Sequence, residues 1–100
     1  MFAAIWYHCT VVTIERIQTG VRMEKRLLKV LKALAEYHDL SLGDLLEGIV
    51  LHAFEGKTPF GPESMRRIAE IKKIYALDLN ASHAHKLAES APPARRGTRK

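Results

Sequence analysis

The predicted fold depends mainly on two consecutive stretches, residues 17–23 (IQTGVRM) and residues 24–38 (EKRLLKVLKALAEYH). The first stretch alternates between two sets of side chains and is rich in β-branched residues, which is typical of a strand. Its two faces carry Ile17, Thr19, Val21 and Met23 on one side and Arg16, Gln18, Gly20 and Arg22 on the other. The second stretch repeats leucine at spacings of three and four, which predicts an amphipathic helix of about four turns.

A second helix is predicted after a short break at residues 39–40. Ser41, with Asp44 three positions later, resembles the start of a capping box, in which the serine hydroxyl accepts a hydrogen bond from the helix backbone. The helix is expected to cover about residues 42–55 and to end at Gly56. Its expected core positions are Leu45, Leu46, Ile49, Val50, Ala53 and Phe54.

A third helix is predicted beyond the two prolines of residues 57–62. Pro62 suits a first helical position, and the apolar pattern continues to about Leu77. Its apolar face carries Met65, Ile68, Ile71, Ile74 and Tyr75. A further short helix is expected within residues 80–89.

Composition favours one small domain in a reducing compartment. The chain has 100 residues and a single cysteine, which excludes an intrachain disulfide framework and fits the cytoplasm. The apolar first 12 residues are too short to span a bilayer and lack the basic region of a signal peptide. The net charge is +5, and residues 86–100 account for +4 of it, so this tail suggests attraction to a polyanion.

The sequence contains no pattern that predicts catalysis, a metal site or a cofactor. It has no phosphate-cradling glycine loop, no nucleophile–base arrangement and no zinc motif. His83 and His85 lie two positions apart, which does not bring two ligands to one face of a helix. We therefore expect no enzymatic activity, no metal and no cofactor.

One strand in a chain of helices leaves a row of unpaired N–H and C=O groups, and no second convincing strand follows it. The economical arrangement is pairing of this strand with its copy in a second chain. The expected fold is therefore mainly α with one short strand. Two chains would form an intertwined homodimer with an antiparallel two-stranded ribbon, covered by the helices of both.

The order of strand, helix, short turn and helix resembles the ribbon-helix-helix family, the architecture of the Arc and MetJ repressors. The resemblance covers about residues 18–56, and it is a pattern rather than a signature motif. Its residues are Thr19-Gly20-Val21-Arg22-Met23, then Leu28, Leu31, Leu34 and Ala35, then Asp39-Leu40-Ser41, and finally Asp44-Leu45-Leu46 with Ile49-Val50. The implied organisation is an N-terminal extension in residues 1–15, a ribbon-helix-helix domain in 16–56, an additional helix packed on the dimer or on a partner in 57–79, and a short helix with a basic disordered tail in 80–100.

The resemblance implies a sequence-specific DNA-binding regulator of the repressor type, whose ribbon enters the major groove. Arginine suits guanine and glutamine suits adenine in that groove. The expected base contacts are Gln18, Gly20 and Arg22. The expected phosphate contacts are Arg16, Lys25, Arg26, Ser41, Leu42 and Gly43, the last three at the N-terminus of the second helix. The expected partners are double-stranded DNA and a second copy, with cooperative assembly of several dimers on DNA.

A protein-interaction module is the alternative that the sequence leaves open. In it, the third helix docks a partner protein, as in antitoxins of the same family that wrap a toxin. Its expected partner-binding residues are Met65, Ile68, Ile71 and Tyr75.

Overall fold

The computed structural model describes residues 11–90, and these form three α-helices and one short 3-10 helix. The α-helices are α1 (Lys25–Tyr37), α2 (Leu42–Phe54) and α3 (Pro62–Ile74), and the 3-10 helix is Ala81–His83. Each lies where the sequence predicts a helix, so these four predictions are confirmed. The ends of the three α-helices differ from the predicted ones by at most about three residues. No helix of residues 11–90 is long and apolar enough to cross a membrane.

The predicted fold class is wrong, because residues 11–90 contain no β-strand. The leading segment, residues 11–24, precedes α1 without regular secondary structure. No backbone group of residues 11–23 forms a hydrogen bond with another described backbone group. A strand exists only where a second strand completes its hydrogen-bond ladder, so alternation in residues 17–23 is not sufficient to make one. The described chain is all-α, and the ribbon-helix-helix architecture, which needs a ribbon, does not apply to it.

Local chemistry explains where the helices begin. The Glu24 carboxylate accepts a hydrogen bond from the Leu27 amide at 2.8 Å, and the Ser41 hydroxyl accepts one from the Asp44 amide at 3.1 Å. Both side chains satisfy amides that the first turn of a helix leaves without a carbonyl partner. Pro62 begins α3, where its missing N–H costs nothing.

The three α-helices end in the same way. Each is followed within two residues by one with a positive φ angle: 58° at Asp39, 71° at Gly56 and 54° at Ala76. The next amide turns back onto the helix; for example, Lys57 N donates to His52 O at 2.9 Å. This is the usual way of satisfying the last carbonyls, and glycine and aspartate tolerate the left-handed conformation best. The breaks predicted at residues 39–40 and at Gly56 are confirmed.

The core forms on α1, against which both other helices pack. Its centre is the buried trio Leu34, Ala35 and Leu45. The partly buried side chains around it are Leu31, Ile49, Phe60, Ile68 and Ile71. Helices α1 and α3 run antiparallel, because Arg26 at the start of α1 donates to the Ala76 carbonyl just beyond α3, whereas Tyr37 at the end of α1 contacts Glu63.

The burial predicted for α2 is only partly correct. Leu45 is buried and Leu46 and Ile49 are half-buried, but Val50, Ala53 and Phe54 are exposed. The helix packs on α1 by one side only, so the second side of its apolar surface faces solvent.

The predictions for the two chain ends fall largely outside the described residues. Residues 1–10 of the predicted N-terminal extension and residues 91–100 of the predicted disordered tail lie there.

Candidate nucleic-acid interface

The predicted base-contacting residues all lie on the leading segment, and all are exposed. Gln18, Gly20 and Arg22 belong to a run of exposed residues that extends from 11 to 22. Nothing lies within 4 Å of the position that a Cβ atom of Gly20 would take, so this backbone is open to approach. These residues are therefore accessible to a large ligand.

Arg22 is held by an acidic residue far along the chain. Its Nη2 and Nε donate to the two carboxylate oxygens of Glu89, at 2.5 and 3.0 Å. These hydrogen bonds lower the pKa of Glu89 and raise that of Arg22. The Arg22 side chain is nevertheless 82% exposed, and solvent screening makes an exposed ion pair of this kind weak. A phosphate or a base edge can therefore replace Glu89 at little cost.

The other two predicted arginines are also paired within the chain. Arg16 donates to Glu47 at 2.8 and 2.9 Å and to Asp44 at 3.3 Å, and this contact lowers the pKa of Glu47. Arg26 pairs with Glu24 and Asp78 and donates to the Ala76 carbonyl at 2.7 Å. Arg26 thus links the start of α1 to the chain beyond α3, and the carboxylates of Glu24 and Asp78 largely neutralise its charge.

The N-terminus of α2 is a weak phosphate site. Ser41, Leu42 and Gly43 lie there as predicted, but the Ser41 hydroxyl already caps the Asp44 amide. The carboxylates of Asp44 and Glu47 lie on the same first turns, and a phosphate would meet them as well as the helix dipole. Arg16 offsets this charge only in part, since it is the sole cation paired with them among residues 11–90.

Replacing Ser41 by alanine is expected to act on stability alone. Loss of the cap costs about 1 kcal/mol of unfolding free energy, whereas affinity for DNA should not change if the hydroxyl is only a cap. Urea denaturation and duplex titration of the same variant measure the two effects. A clear loss of affinity in a stable Ser41→Ala variant would show that the hydroxyl also holds a phosphate.

Three unpaired cations lie together on α1, whereas Lys72, Lys73 and Lys86, which also form no ion pair among residues 11–90, lie elsewhere. Lys25, Lys29 and Lys32, here called the lysine stripe, are exposed and spaced by four and three residues, so they share one side of the helix. None of them forms an ion pair with a carboxylate of residues 11–90. Lys25 is a predicted phosphate contact, whereas Lys29 and Lys32 were not among the predicted contacts. Their spacing was visible in the sequence, whereas the pairing of the competing arginines was not.

Formal charge is divided between the helices. Counting Asp, Glu, Lys and Arg, α1 carries +3, α3 carries +2 and α2 carries −2. The chain beyond residue 85 is therefore not the only basic part, because the acidic residues of α2 mask the excess on α1 and α3 in the total. A polyanion is attracted to the α1 side and repelled by α2.

The predicted partner-binding residues divide into two kinds. Ile68 and Ile71 pack against the core cluster of this chain, and Tyr75 is half-buried with the Lys29 Nζ atom 5.8 Å from its ring centroid. Met65 is exposed. Of the four predicted partner-binding residues, only Met65 is thus exposed; Ile74 on the same face of α3 is exposed as well.

Two other features of residues 11–90 bear on chemistry. No group of three or more histidine, cysteine, aspartate or glutamate side chains is placed to hold a metal ion there. His38 Nε2 lies 3.2 Å from the Ser64 hydroxyl, and both line an open cavity of about 230 Å³ beside Leu45 and Phe60. No carboxylate hydrogen bond orients this imidazole among the described residues, so the pair lacks the third group of a nucleophile–base–acid arrangement.

Comparison of the chain with protein-family models, with curated proteins and with solved structures gives no match.

Proposed function

We propose that this chain is a DNA-binding transcription regulator of the repressor type, acting in the cytoplasm. The observation that carries the proposal is the lysine stripe, a row of exposed cations with no acidic partner in the described chain. Such a row favours binding to duplex DNA, because lysines that neutralise phosphates release condensed counterions, and this release raises the affinity.

The dimensions of the stripe fit a phosphate backbone. Lys25 to Lys32 spans about 10 Å along the helix axis at 1.5 Å per residue. Duplex DNA carries one charge per roughly 1.7 Å of its axis, so three lysines on this length meet several phosphates. The flexible lysine stems adapt to their positions as point charges.

The leading segment supplies the groups for sequence readout. Gln18 and Arg22 are exposed, and Arg22 lies three residues before Lys25, the first residue of the lysine stripe. Phosphate contacts by α1 would therefore bring Gln18 and Arg22 to the DNA surface. Arg22 exchanges its exposed contact with Glu89 for a base edge or phosphate. Phosphate contacts position the protein, and base contacts make it specific. Occupation of an operator would then repress transcription.

The test is a salt titration of duplex binding by the full chain. Wild type is compared with the triple variant Lys25→Gln, Lys29→Gln, Lys32→Gln. The control is Lys57→Gln, Lys73→Gln, Lys86→Gln, which removes the same charge from exposed lysines elsewhere. If each stripe lysine neutralises one phosphate, the plot of log affinity against log salt flattens by about 2.7 per chain, at about 0.9 per contact.

Two results would contradict this proposal. One is no duplex binding by wild type at about 50 mM salt, where phosphate contacts are strongest. The other is an equal loss of slope in the control triple, which would mean that net charge, and not the lysine stripe, attracts DNA. Circular dichroism confirms that each variant keeps its helices.

A second candidate function, protein interaction, is favoured by a separate observation. Arg16, Arg22 and Arg26 are all ion-paired within the chain, whereas the apolar residues at the end of α2 are exposed. Failure of duplex binding in the salt titration would make this candidate the leading one.

A further inference from the structure

An open cavity lies where three parts of the described chain meet. It has a volume of about 230 Å³ and is bounded by the end of α1, one side of α2 and the chain that leads into α3. Its apolar wall consists of Leu40, Leu45, Ile49, Pro59 and Phe60. An enclosed apolar cavity of about 150 Å³ takes one benzene molecule, so this volume accommodates a six-membered ring with a short substituent.

A glycine in the middle of α2 keeps this cavity open. Gly48 lines it, and apart from its chain neighbours and the backbone of its own helix no atom lies within 4 Å of the position that a Cβ atom would take. Close packing against another helix therefore does not require glycine here. A glycine inside a helix is destabilising relative to alanine, because it loses more backbone freedom on folding. What this glycine provides is room on the side of α2 that borders the cavity.

The charged lining of the cavity is acidic. No lysine or arginine of residues 11–90 lines it, and Asp44 is the carboxylate that does. The Oδ1 atom of Asp44 lies 3.3 Å from Arg16 Nη2, whereas Oδ2 has no hydrogen-bond partner among residues 11–90. The carboxylate is therefore free to accept a hydrogen bond from a bound molecule.

The histidines of the cavity add polar groups of the same kind. His52 Nδ1 lies 2.7 Å from the Gly48 carbonyl oxygen. Because a carbonyl oxygen only accepts, Nδ1 carries the proton, and Nε2 of the neutral imidazole is then an acceptor. His38 Nε2 and the Ser64 hydroxyl, 3.2 Å apart, form a further polar pair in the lining. An apolar wall combined with acceptors and a carboxylate complements a cationic donor and repels an anion.

We propose that this cavity binds a small aromatic amine, with the ring on the apolar wall and the ammonium group donating to Asp44 and to His52 Nε2. Removal of the ring from water drives binding, and the charge-assisted hydrogen bond to Asp44 sets the preference for a cation. The net charge of the chain is +5, so nonspecific attraction would favour an anion instead. The site goes beyond the proposed DNA-binding function and does not include the lysine stripe.

A titration of the isotope-labelled full chain, followed by the NMR signals of its amides, tests the proposal. The probes are phenethylamine, the neutral phenethyl alcohol and the anion phenylacetate, which share the ring and differ in the polar group. Phenethylamine should bind at least about 10-fold more tightly than phenylacetate, because the hydrogen bond to a carboxylate is charge-assisted. The largest shifts should occur at Gly48, Ile49 and Ser64.

Replacing Asp44 by asparagine should weaken the binding of phenethylamine by about 10-fold and leave the binding of phenethyl alcohol unchanged. The matched control is Glu47→Gln, which removes the other carboxylate that Arg16 contacts but does not alter the cavity lining. This control should keep the wild-type affinity. Both side chains are exposed, so neither variant disturbs the core.

Replacing Gly48 by leucine should fill the cavity and abolish binding of all three probes. Leucine favours a helix more than glycine does, and open space surrounds this position, so the variant should fold at least as stably as wild type. Ala53→Leu is its control, because Ala53 is an exposed residue of α2 that does not line the cavity. This second control should bind phenethylamine normally.

Three results would overturn the proposal: no saturable shifts with phenethylamine up to about 10 mM, binding of phenylacetate as tight as that of the amine, or retained binding in Gly48→Leu. An equal loss in Asp44→Asn and Glu47→Gln would also contradict it, since the acidic surface of α2 rather than the cavity would then attract the amine. The titration contains no DNA, so failure of this site and failure of duplex binding are observed separately.

Discussion

Replacing Leu34 by alanine is expected to lower the free energy of unfolding by about 3 kcal/mol. Leu34 is 2% exposed and lies at the centre of the cluster in which α1 meets both other helices. Truncation removes the apolar surface buried by the leucine and leaves a cavity that neighbours such as Ala35 and Leu45 fill only in part. Because small domains are stable by only about 5–15 kcal/mol, this is a large fraction of the total.

The matched control is Leu27→Ala on the same helix. Leu27 is 37% exposed and lies outside the buried cluster, so the same chemical change there should cost clearly less, about 1 kcal/mol. Urea denaturation followed by circular dichroism measures both variants. Equal losses at the two positions would mean that the core does not lie where α1 carries Leu34.

Replacing Arg22 by alanine is expected to relax the sequence preference of DNA binding. A bidentate contact of an arginine with a guanine discriminates between bases by about 1–3 kcal/mol, or roughly 10- to 100-fold. Selection of bound duplexes from a random pool at about 150 mM salt should give a motif with wild type. One position of that motif should become degenerate in Arg22→Ala, while the rest of the motif persists.

Arg66→Ala provides the control for this experiment. Arg66 is also exposed and is also paired with a glutamate, Glu63, but it lies on α3 away from the leading segment. Its loss should leave the motif intact. Gln18→Ala should relax a different position from Arg22→Ala. An unchanged motif in both Gln18→Ala and Arg22→Ala would exclude readout by the leading segment, without affecting the role of the lysine stripe.

The helices of this protein could be predicted from the sequence because their causes are local. Leucine spacing, the Ser41 cap, the left-handed residue Gly56 and Pro62 all act within a few positions along the chain. Each satisfies backbone groups or sets φ angles without help from a distant residue. The spacing of Lys25, Lys29 and Lys32 is equally local, because residues three and four apart share one side of a helix.

The absence of a strand from residues 11–90 and the ion pairs of the candidate arginines could not be predicted in this way. Alternation in residues 17–23 describes a segment that can pair, but pairing requires a second strand, which residues 11–90 do not contain. Arg22 has the right side chain for base readout, yet its pairing with Glu89 joins residues 67 positions apart. Neither property is written in the neighbourhood of the residues concerned.

By itself, the sequence determined the number, order and boundaries of the three helices, because backbone hydrogen bonding and capping depend on nearest neighbours. Only the tertiary structure decided which apolar residues are covered. Leu45 and Phe54 are both apolar residues that the sequence predicts to be buried on α2. Helix α1 packs against α2 so that Leu45 is buried, whereas Phe54 remains exposed. Tertiary structure also decided which charges remain free, because an ion pair depends on distance in space. Arg16, Arg22 and Arg26 form ion pairs with carboxylates, whereas the lysines of the stripe form none within residues 11–90.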